Sequence, residues 1–206
     1  MVSVLQQEMI DAVQASVGGG GERVAGAGAA RSRVVEAALE LFARHGASGT
    51  SLQMIANELG VTKAAVYHQF KTKDEIARAV AETELERVHA VLDAAEREGT
   101  PARARNVAIE GMVDLAVERR HQASAILSDP MITGLFADDR RMAQLVDRLV
   151  ALLLGVQPSR DAYVAVVMLT AAISGAVMHP MVAGTSDEEL RGQLLVLARR
   201  FLRVAR

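Results

Sequence analysis

Residues 52–67 read LQMIANELGVTKAAVY, and this stretch predicts two short helices that cross at a steep angle. Such a crossing needs a small side chain where the two helices touch and a turn residue that tolerates a positive φ. Ala56 and Gly60 meet these two needs. The apolar side chains that would hold the pair together are Ile55, Leu59, Val61 and Val66. Because several constraints are satisfied together, we interpret the stretch as a helix-turn-helix.

The solvent-facing side of the second short helix carries the chemistry of this motif. It combines small side chains, which allow close approach to the floor of a groove, with donors that reach phosphates or base edges. Its members are Thr62, Lys63, Ala64, Tyr67 and His68. The pattern favours DNA binding, although an αα-hairpin without any ligand would show the same small and apolar residues.

Capping and turn residues divide the rest of the chain into helices. Ser51 and Thr62 are suitable N-caps for the two short helices, and Ser32 is a suitable N-cap for a helix before them. Beyond Arg31 the apolar residues recur at helical spacing, and no alternating stretch predicts a strand. The predicted helices span approximately residues 32–45, 52–59, 63–70, 73–98, 102–122, 138–154, 160–182 and 187–204.

The composition supports an all-α fold and excludes several classes of site. Of the 206 residues 50% are hydrophobic but only 3% aromatic, so the core consists of Ala, Leu, Val and Met, which favour helices. The chain has no Cys, which excludes a disulfide scaffold and a Cys-based metal site. It shows no metal-spaced His and carboxylate cluster, phosphate loop or nucleophile elbow, and we predict no catalytic residue, no metal and no cofactor.

Residues 162–186 contain no Asp, Glu, Lys or Arg and are long enough to cross a bilayer. A membrane span is therefore one interpretation of this segment. Its small residues, together with Thr170, Ser174, His179 and Pro180, favour instead a helix that is buried or lies in a dimer interface. No basic region precedes an apolar stretch at the start of the chain, so we expect no signal peptide, a cytoplasmic protein and no membrane partner.

Residues 31–76 resemble the DNA-binding domain of the tetracycline-repressor (TetR) family of bacterial transcription regulators. The matching positions are Phe42, Gly46, Thr50, Ile55, Ala56, Gly60, Val61, Val66, Tyr67, Phe70, Lys73 and Ile76. The Gly/Ala tract between residues 18 and 30 predicts a flexible extension over residues 1–30. The resemblance implies a helix-turn-helix domain over 31–76 and a helical ligand-binding and dimerisation domain over 77–206. It also implies a homodimer that binds a palindromic operator in double-stranded DNA and responds to a small apolar or amphipathic effector.

Carried over to this chain, the resemblance assigns DNA contacts to individual residues. Thr62, Lys63 and Ala64 would face base edges and nearby phosphates, and Tyr67 would contact the backbone or a thymine methyl. The phosphate contacts of the flanking segments would come from Thr50, Ser51 and Lys73, and that of the second short helix from either His68 or Gln69.

The same resemblance places an effector cavity in the second domain, with the fourth helix as a lever between ligand and DNA. Its candidate lining residues are Met112, Leu115, Phe136, Met142 and Met168. Each is equally suited to a plain core position. Small residues at Ala171 and Gly175, with Leu194 and Leu197 on the last helix, suit a four-helix bundle between two subunits. The alternative to a regulator is a helical small-molecule-binding protein or enzyme that uses the helix-turn-helix as a scaffold.

Overall fold

A computed structural model describes residues 28–118, 120, 129–135, 140–155 and 159–204. All regular secondary structure in these ranges is helical, which confirms the all-α prediction. The helices are α1 (residues 28–49), α2 (Leu52–Glu58), α3 (Lys63–Gln69), α4 (Lys73–Glu96), α5 (Pro101–Glu118), α6 (Pro130–Leu135), α7 (Arg140–Leu154), α8 (Arg160–Met178) and α9 (Asp187–Val204), with a 3₁₀ turn at Pro180–Val182.

Side-chain caps begin the short helices, as the sequence predicts. The Ser51 hydroxyl accepts a hydrogen bond from the Met54 amide at 3.2 Å, and the Thr62 hydroxyl accepts one from the Ala65 amide at 3.2 Å. Each cap satisfies an amide in the first turn that has no partner within its helix. Gly60 has a φ of +64° and turns the chain between α2 and α3. Both N-caps and the role of Gly60 are thereby confirmed.

Several predicted helix boundaries differ from the structure, most clearly those of the first helix and of the apolar helix at residue 160. The first helix runs over residues 28–49 rather than 32–45, and Ser32 lies inside it, where its hydroxyl donates to the Gly28 carbonyl at 3.1 Å. Residues 28–30, predicted to belong to the N-terminal extension, are part of α1. The remainder of that extension, residues 1–27, lies outside the described part of the chain. The predicted helix over 160–182 ends at Met178 because His179 precedes a proline and takes an extended conformation, with ψ at 131°.

Two apolar cores are built on these helices. The N-terminal core contains buried residues of α1 to α3 and the first turns of α4, including Phe42, Ile55, Val66 and Phe70, and it extends along α4 to Ala81. The C-terminal core lies between α4, α5, α7, α8 and α9. Since the 24 residues of α4 span about 36 Å at 1.5 Å each, this helix joins both cores as one continuous element.

Candidate nucleic-acid interface and ligand cavity

Helix α3 buries one side chain and exposes nearly all the others. Val66 is 1% exposed in the N-terminal core, whereas Tyr67 is 51% exposed. Successive residues turn by about 100° in a helix, so positions 63, 64, 67 and 68 lie within about 140° of one another, with 64 and 68 nearly opposite Val66. Thr62, Lys63, Ala64 and His68 are all exposed, as predicted for a surface that approaches a groove.

The C-terminal end of α3 is fastened to α1. The Arg31 guanidinium lies 3.9 Å from the centre of the Phe70 ring and donates to the Gln69 carbonyl at 3.3 Å. This carbonyl lies in the last turn, where helical carbonyls have no partner within the helix. Arg31 therefore fixes how α3 projects from the domain.

His68 and Gln69 are the two candidates for one phosphate contact. His68 is exposed and Gln69 is half-buried, and the Gln69 Nε2 lies 3.4 Å from the His68 Nδ1. The two side chains thus lie next to each other at the end of α3.

Thr50, which is predicted to contact phosphate, is buried in this structure. Thr50 is only 2% exposed, and its hydroxyl donates to the Gly46 carbonyl at 2.9 Å. It satisfies the backbone at the end of α1 instead of facing solvent. Ser51, the next residue, is exposed, and its oxygen caps α2.

Lys73 lies beside the same end of α1. Its ammonium donates to the Ser48 carbonyl at 3.0 Å. An ammonium has three donors, so this bond leaves capacity for a phosphate oxygen. Lys73 thus brings a positive charge to the junction of α1 and α2.

Lys71 is a candidate that the sequence analysis did not single out. Its ammonium donates to the Tyr67 carbonyl at 3.0 Å and lies 4.9 Å from the centre of the Tyr67 ring. The side chain is exposed and places a cation next to the predicted DNA face of α3. The sequence did contain a signal for Lys71: it is a basic residue four positions after Tyr67, just beyond the end of α3.

A cavity of about 400 Å³ lies in the second domain between α4, α5, α7 and α8. The described residues that line it carry no charged side chain. They are Leu85, Val88, Met112, Met142, Leu145, Val146, Leu149, Val166, Val167, Thr170, Ala171, Ser174, Gly175 and Met178. Cavities of this volume and apolar character accommodate small organic ligands.

The predicted ligand residues divide between this cavity and other places. Met112 and Met142 line it. Leu115 is half-buried against the C-terminal core without reaching the cavity, and Met168 is 56% exposed on a different side of α8. Phe136 lies outside the described residues.

Hydrogen bonds of Arg148 connect α7, which forms one wall of the cavity, to α4. The Arg148 guanidinium of α7 bonds to Glu96 at 2.8 and 2.9 Å and to Asp93 of α4 at 2.5 Å. These hydrogen bonds to Glu96 and Asp93 raise the pKa of Arg148 above its ordinary value. These bonds hold α7 against α4 beside the cavity. Neither charged partner is among the described residues that line the cavity.

The segment 129–135 joins the second domain to the first. Asp129 accepts the Ala47 amide of α1 with one carboxylate oxygen and the Met131 amide of α6 with the other, each at 2.9 Å. Ile132 of α6 is buried in the N-terminal core. Met142 both lines the cavity and packs against that core. Besides α4, Met142 is therefore a contact between the wall of the cavity and the N-terminal core.

Helices α8 and α9 expose a broad apolar surface. It includes Val164, Val167, Met168, Val196 and Leu197, each about half exposed. Of the described helices, Arg160–Met178 has the length and composition to cross a membrane, and 28% of its apolar stretch is buried. One side of this helix thus packs in the C-terminal core, and the other side is exposed to solvent in this structure.

Residues 34–80 match the family model of bacterial regulatory proteins of the tetR family. These residues of the chain are therefore similar to the N-terminal domain of TetR-family regulators. Its helix-turn-helix is 46% identical over 50 residues to the HTH-type transcriptional regulator SrpR of Pseudomonas putida. That alignment covers 24% of each protein, so the chain spans about a quarter of the length of this TetR-type relative.

Solved structures extend the likeness in fold to most of the chain. The TetR family regulator PfmR of Thermus thermophilus aligns with a TM-score of 0.64 at 22% identity, over 83% of this chain and 97% of that one. The ketosteroid transcriptional regulator KstR2 of Mycobacterium tuberculosis aligns with a TM-score of 0.61 at 17% identity, over 85% and 92%. The chain thus has the TetR fold with an N-terminal helix-turn-helix.

Among the described residues, no three His, Asp or Glu side chains are grouped so that they could hold a metal ion. The charged side chains near the helix-turn-helix form ion pairs, such as that of Arg44 with Glu58 at 2.9 Å.

Proposed function

We propose that the chain is a homodimeric transcriptional repressor that binds a palindromic operator through α3 and releases it when a small apolar or amphipathic effector binds the cavity. The observation that carries this proposal is the exposure along α3 of Thr62, Lys63, Ala64, Tyr67 and His68, while Val66 is buried in the N-terminal core. Because the helix is fastened at its end by Arg31, this face is presented in a defined orientation.

The dimensions of α3 suit a major groove. Its seven residues are about 10 Å long, and the groove is about 12 Å wide. Thr62, Lys63 and Ala64 stand at its N-terminal end, which is the end that contacts base edges in helix-turn-helix proteins. Tyr67 then lies one turn further along the same face, within reach of the backbone or a thymine methyl.

The phosphate contacts in this proposal flank α3 on both sides. Ser51 and Lys73 lie at the junction of α1 and α2, and Lys71 lies beyond the end of α3, next to Tyr67. Of the two adjacent residues at the end of α3, His68 is the more exposed and we assign the contact to it. With so few cations, binding should depend only moderately on salt.

The dimer in this proposal forms through the exposed apolar surface of α8 and α9. Contiguous apolar surface is normally covered in solution, and a two-fold interface uses the same patch on both subunits. Exposed Ala171 and Gly175 allow two helices to approach closely. A dimer interface on this surface would explain why α8 is apolar on its exposed side, so no membrane is needed to explain its composition. We therefore place the protein in the cytoplasm.

Effector binding would act on DNA affinity through two connections. Helix α4 runs from Lys73 to the wall of the cavity, and the segment 129–135 reaches from the start of α7 to α1. Met142 contributes to the cavity and to the N-terminal core at once. A ligand can shift the protein only as far as its affinities for the two states differ, so it must displace groups such as Met142.

The test is the binding of purified protein to the intergenic DNA that flanks its own gene, measured by fluorescence anisotropy with excess non-specific DNA. We expect Lys63→Ala combined with Tyr67→Ala to weaken specific binding by about tenfold or more, because both side chains lie on the DNA face of α3. The circular dichroism spectrum should stay unchanged, since neither side chain is buried.

Arg103→Ala is the matched control, because it removes an exposed cation from α5 in the second domain. It should leave specific binding within about twofold of the unmodified protein. If the double variant binds as tightly as the control, α3 is not the recognition helix.

A further inference from the structure

The lysines of the chain are confined to the helix-turn-helix and the start of α4. Of the 23 basic residues twenty are Arg and three are Lys, namely Lys63, Lys71 and Lys73. The DNA face of α3 and its flank therefore carry every lysine amine of the chain. Amines and guanidiniums react differently, so this distribution separates the DNA face chemically from the second domain.

Arginine provides the cations elsewhere in the structure. Arg148 holds α7 against α4, Arg199 donates to Glu110 of α5 at 2.6 Å, and Arg120 pairs with Asp187 of α9 at 3.3 Å. A guanidinium stays charged, whereas a lysine amine is a target of acylation, which removes its charge. A reagent that acylates amines would therefore alter the DNA face and leave the ion pairs of the second domain intact.

Two of the three lysine amines are accessible. Lys63 is exposed at the start of α3, and its amine forms no hydrogen bond or ion pair within the described residues. Lys71 is exposed too, and its amine donates to the Tyr67 carbonyl at 3.0 Å. Lys73 is half-buried and donates to the Ser48 carbonyl at 3.0 Å. Its amine is therefore less accessible than those of Lys63 and Lys71.

The charges around these amines favour an anionic reagent. Between Leu59 and Lys73 the chain contains three lysines and no Asp or Glu. One acid that contacts this stretch, Glu75, accepts the backbone amide of Lys71 at 2.8 Å. A locally cationic surface raises the concentration of small anions beside it. A reagent that carries a phosphate group is thus attracted in the same way as a DNA phosphate.

We propose that Lys63 and Lys71 are acylated by small acyl phosphates and that this modification releases the protein from its operator. The inference rests on the DNA face of the proposed function. It adds a second means of regulation, which acts at α3 directly and does not use the cavity.

The reaction transfers an acyl group from phosphate to nitrogen. The unprotonated Nζ attacks the acyl carbon, and a bond between nitrogen and carbon forms. The bond from that carbon to the phosphate oxygen breaks, and its electron pair leaves with the phosphate. One proton passes from the nitrogen to water or to the phosphate. The products are an uncharged amide and inorganic phosphate, and nothing is oxidised or reduced.

Acylation removes the charge of each side chain and adds volume to it. An uncharged amide at Lys63 or Lys71 no longer displaces a counterion from DNA, which lowers both the affinity and its dependence on salt. The added acyl group also obstructs a surface that must approach the floor of the groove. At Lys71 the cation that lies 4.9 Å from the centre of the Tyr67 ring is lost as well.

The first experiment treats the full-length protein with acetyl phosphate and locates the acetyl groups by peptide mass spectrometry. We expect Lys63 and Lys71 to react several-fold faster than Lys73, because their side chains are exposed. The circular dichroism spectrum should stay unchanged for the same reason. Faster reaction at Lys73, or no reaction at Lys63 and Lys71, would overturn the assigned sites. Reaction with acetyl-coenzyme A but not with acetyl phosphate would overturn the assigned class of donor.

Lys63→Arg combined with Lys71→Arg tests whether these two amines mediate the release. The double variant keeps both charges and cannot be acylated at these positions. Each protein is compared with itself before and after treatment, in the anisotropy assay with the intergenic DNA. Treatment should weaken binding of the wild-type protein by about tenfold or more and leave the affinity of the double variant unchanged.

Lys73→Arg is the matched control, because it retains Lys63 and Lys71 and should lose affinity on treatment as the wild-type protein does. Acetylation should also reduce the slope of log affinity against log salt by about one for each modified lysine that contacts a phosphate. An equal loss of affinity in the treated double variant would contradict the role of the two amines.

Protection by DNA is an independent measurement that needs no variant, and it replaces the comparison if the double variant does not bind. Bound DNA should slow acetylation of Lys63 and Lys71 in the wild-type protein, and equal rates in free and bound protein would refute their place on the DNA face. If the wild-type protein binds no DNA, the proposed function fails, whereas mass spectrometry still tests the acylation sites. The two failures therefore remain distinguishable.

Discussion

Single residues in the helix-turn-helix have roles that follow from their backbone conformation and burial. Gly60 allows the backbone to adopt a positive φ in the turn, and the Thr50 hydroxyl donates a hydrogen bond to the Gly46 carbonyl. Tyr67 and Lys63 are exposed and contribute little to stability, so their role is sought in binding. Stability and function are thus separated between neighbouring residues of the same motif.

Gly60 gives a test at the scale of one residue. A Cβ atom added at this position would meet no atom within 4 Å, so substitution is penalised only by the φ of +64°. We expect Gly60→Ala to lower the free energy of unfolding by about 1–2 kcal/mol. Urea denaturation followed by circular dichroism measures this change.

Gly60→Asn is the control for backbone strain, because asparagine adopts positive φ more readily than alanine. It should lose less stability than Gly60→Ala. Equal losses would mean that the turn depends on something other than φ.

At the scale of elements, helix packing determines where small residues are required. Helices α4 and α5 approach closely at Gly111, where an added Cβ would lie 2.5 Å from one methyl carbon of Val91 and 2.9 Å from the other. The Val91 side chain cannot turn away freely, since β-branched side chains in helices have one preferred rotamer. A glycine inside α5, unfavourable for an isolated helix, is therefore explained by contact with α4.

The expected result is that Gly111→Ala destabilises the protein by about 1–3 kcal/mol from overpacking, offset by up to about 1 kcal/mol of improved helix propensity. With Val91→Ala already present, the same Gly111→Ala change should be stabilising, because the obstructing methyl groups are gone. Urea denaturation of the four proteins in this cycle measures the coupling. Stabilisation by Gly111→Ala in both backgrounds would refute the close approach.

At the scale of the whole molecule, the two domains are joined by more than α4. Asp129 follows the part of the chain between α5 and α6, yet it binds the amide of Ala47 in α1, 82 positions away. The contact ties the end of α1, next to Ser51 and Lys73, to the segment 129–135. In the proposed function this bond would act together with α4 in positioning the helix-turn-helix.

Asp129→Ala should expose this connection. Loss of two hydrogen bonds to a carboxylate should lower the free energy of unfolding by about 1.5–3 kcal/mol and speed hydrogen exchange at the Ala47 amide. Denaturation and residue-resolved hydrogen exchange measure the two effects. Asp129→Asn keeps one oxygen acceptor and should give a smaller effect, whereas an unchanged exchange rate at Ala47 in Asp129→Ala would show that the contact does not hold the domains together.

The sequence was sufficient for much of the DNA-binding domain. Helix caps, the turn glycine and the spacing around Ala56 act within about five residues, and the predictions that depended on them are confirmed in α2 and α3. The all-α class was likewise readable from composition, and the similarity to a TetR-type DNA-binding domain from residues 31–76.

Only the tertiary structure decided which predicted side chains reach solvent or a cavity. Thr50 looked equivalent to Ser51 in sequence, but the end of α1 buries one and exposes the other. Helix α8 is apolar on nearly all sides, so its pattern could not show that Ser174 lines the cavity whereas Met168 faces outward. The link from Asp129 to Ala47 gave no local signal either. Local sequence determines that a helix forms and where it ends, whereas the neighbour that each side of it meets depends on contacts between residues far apart in the chain.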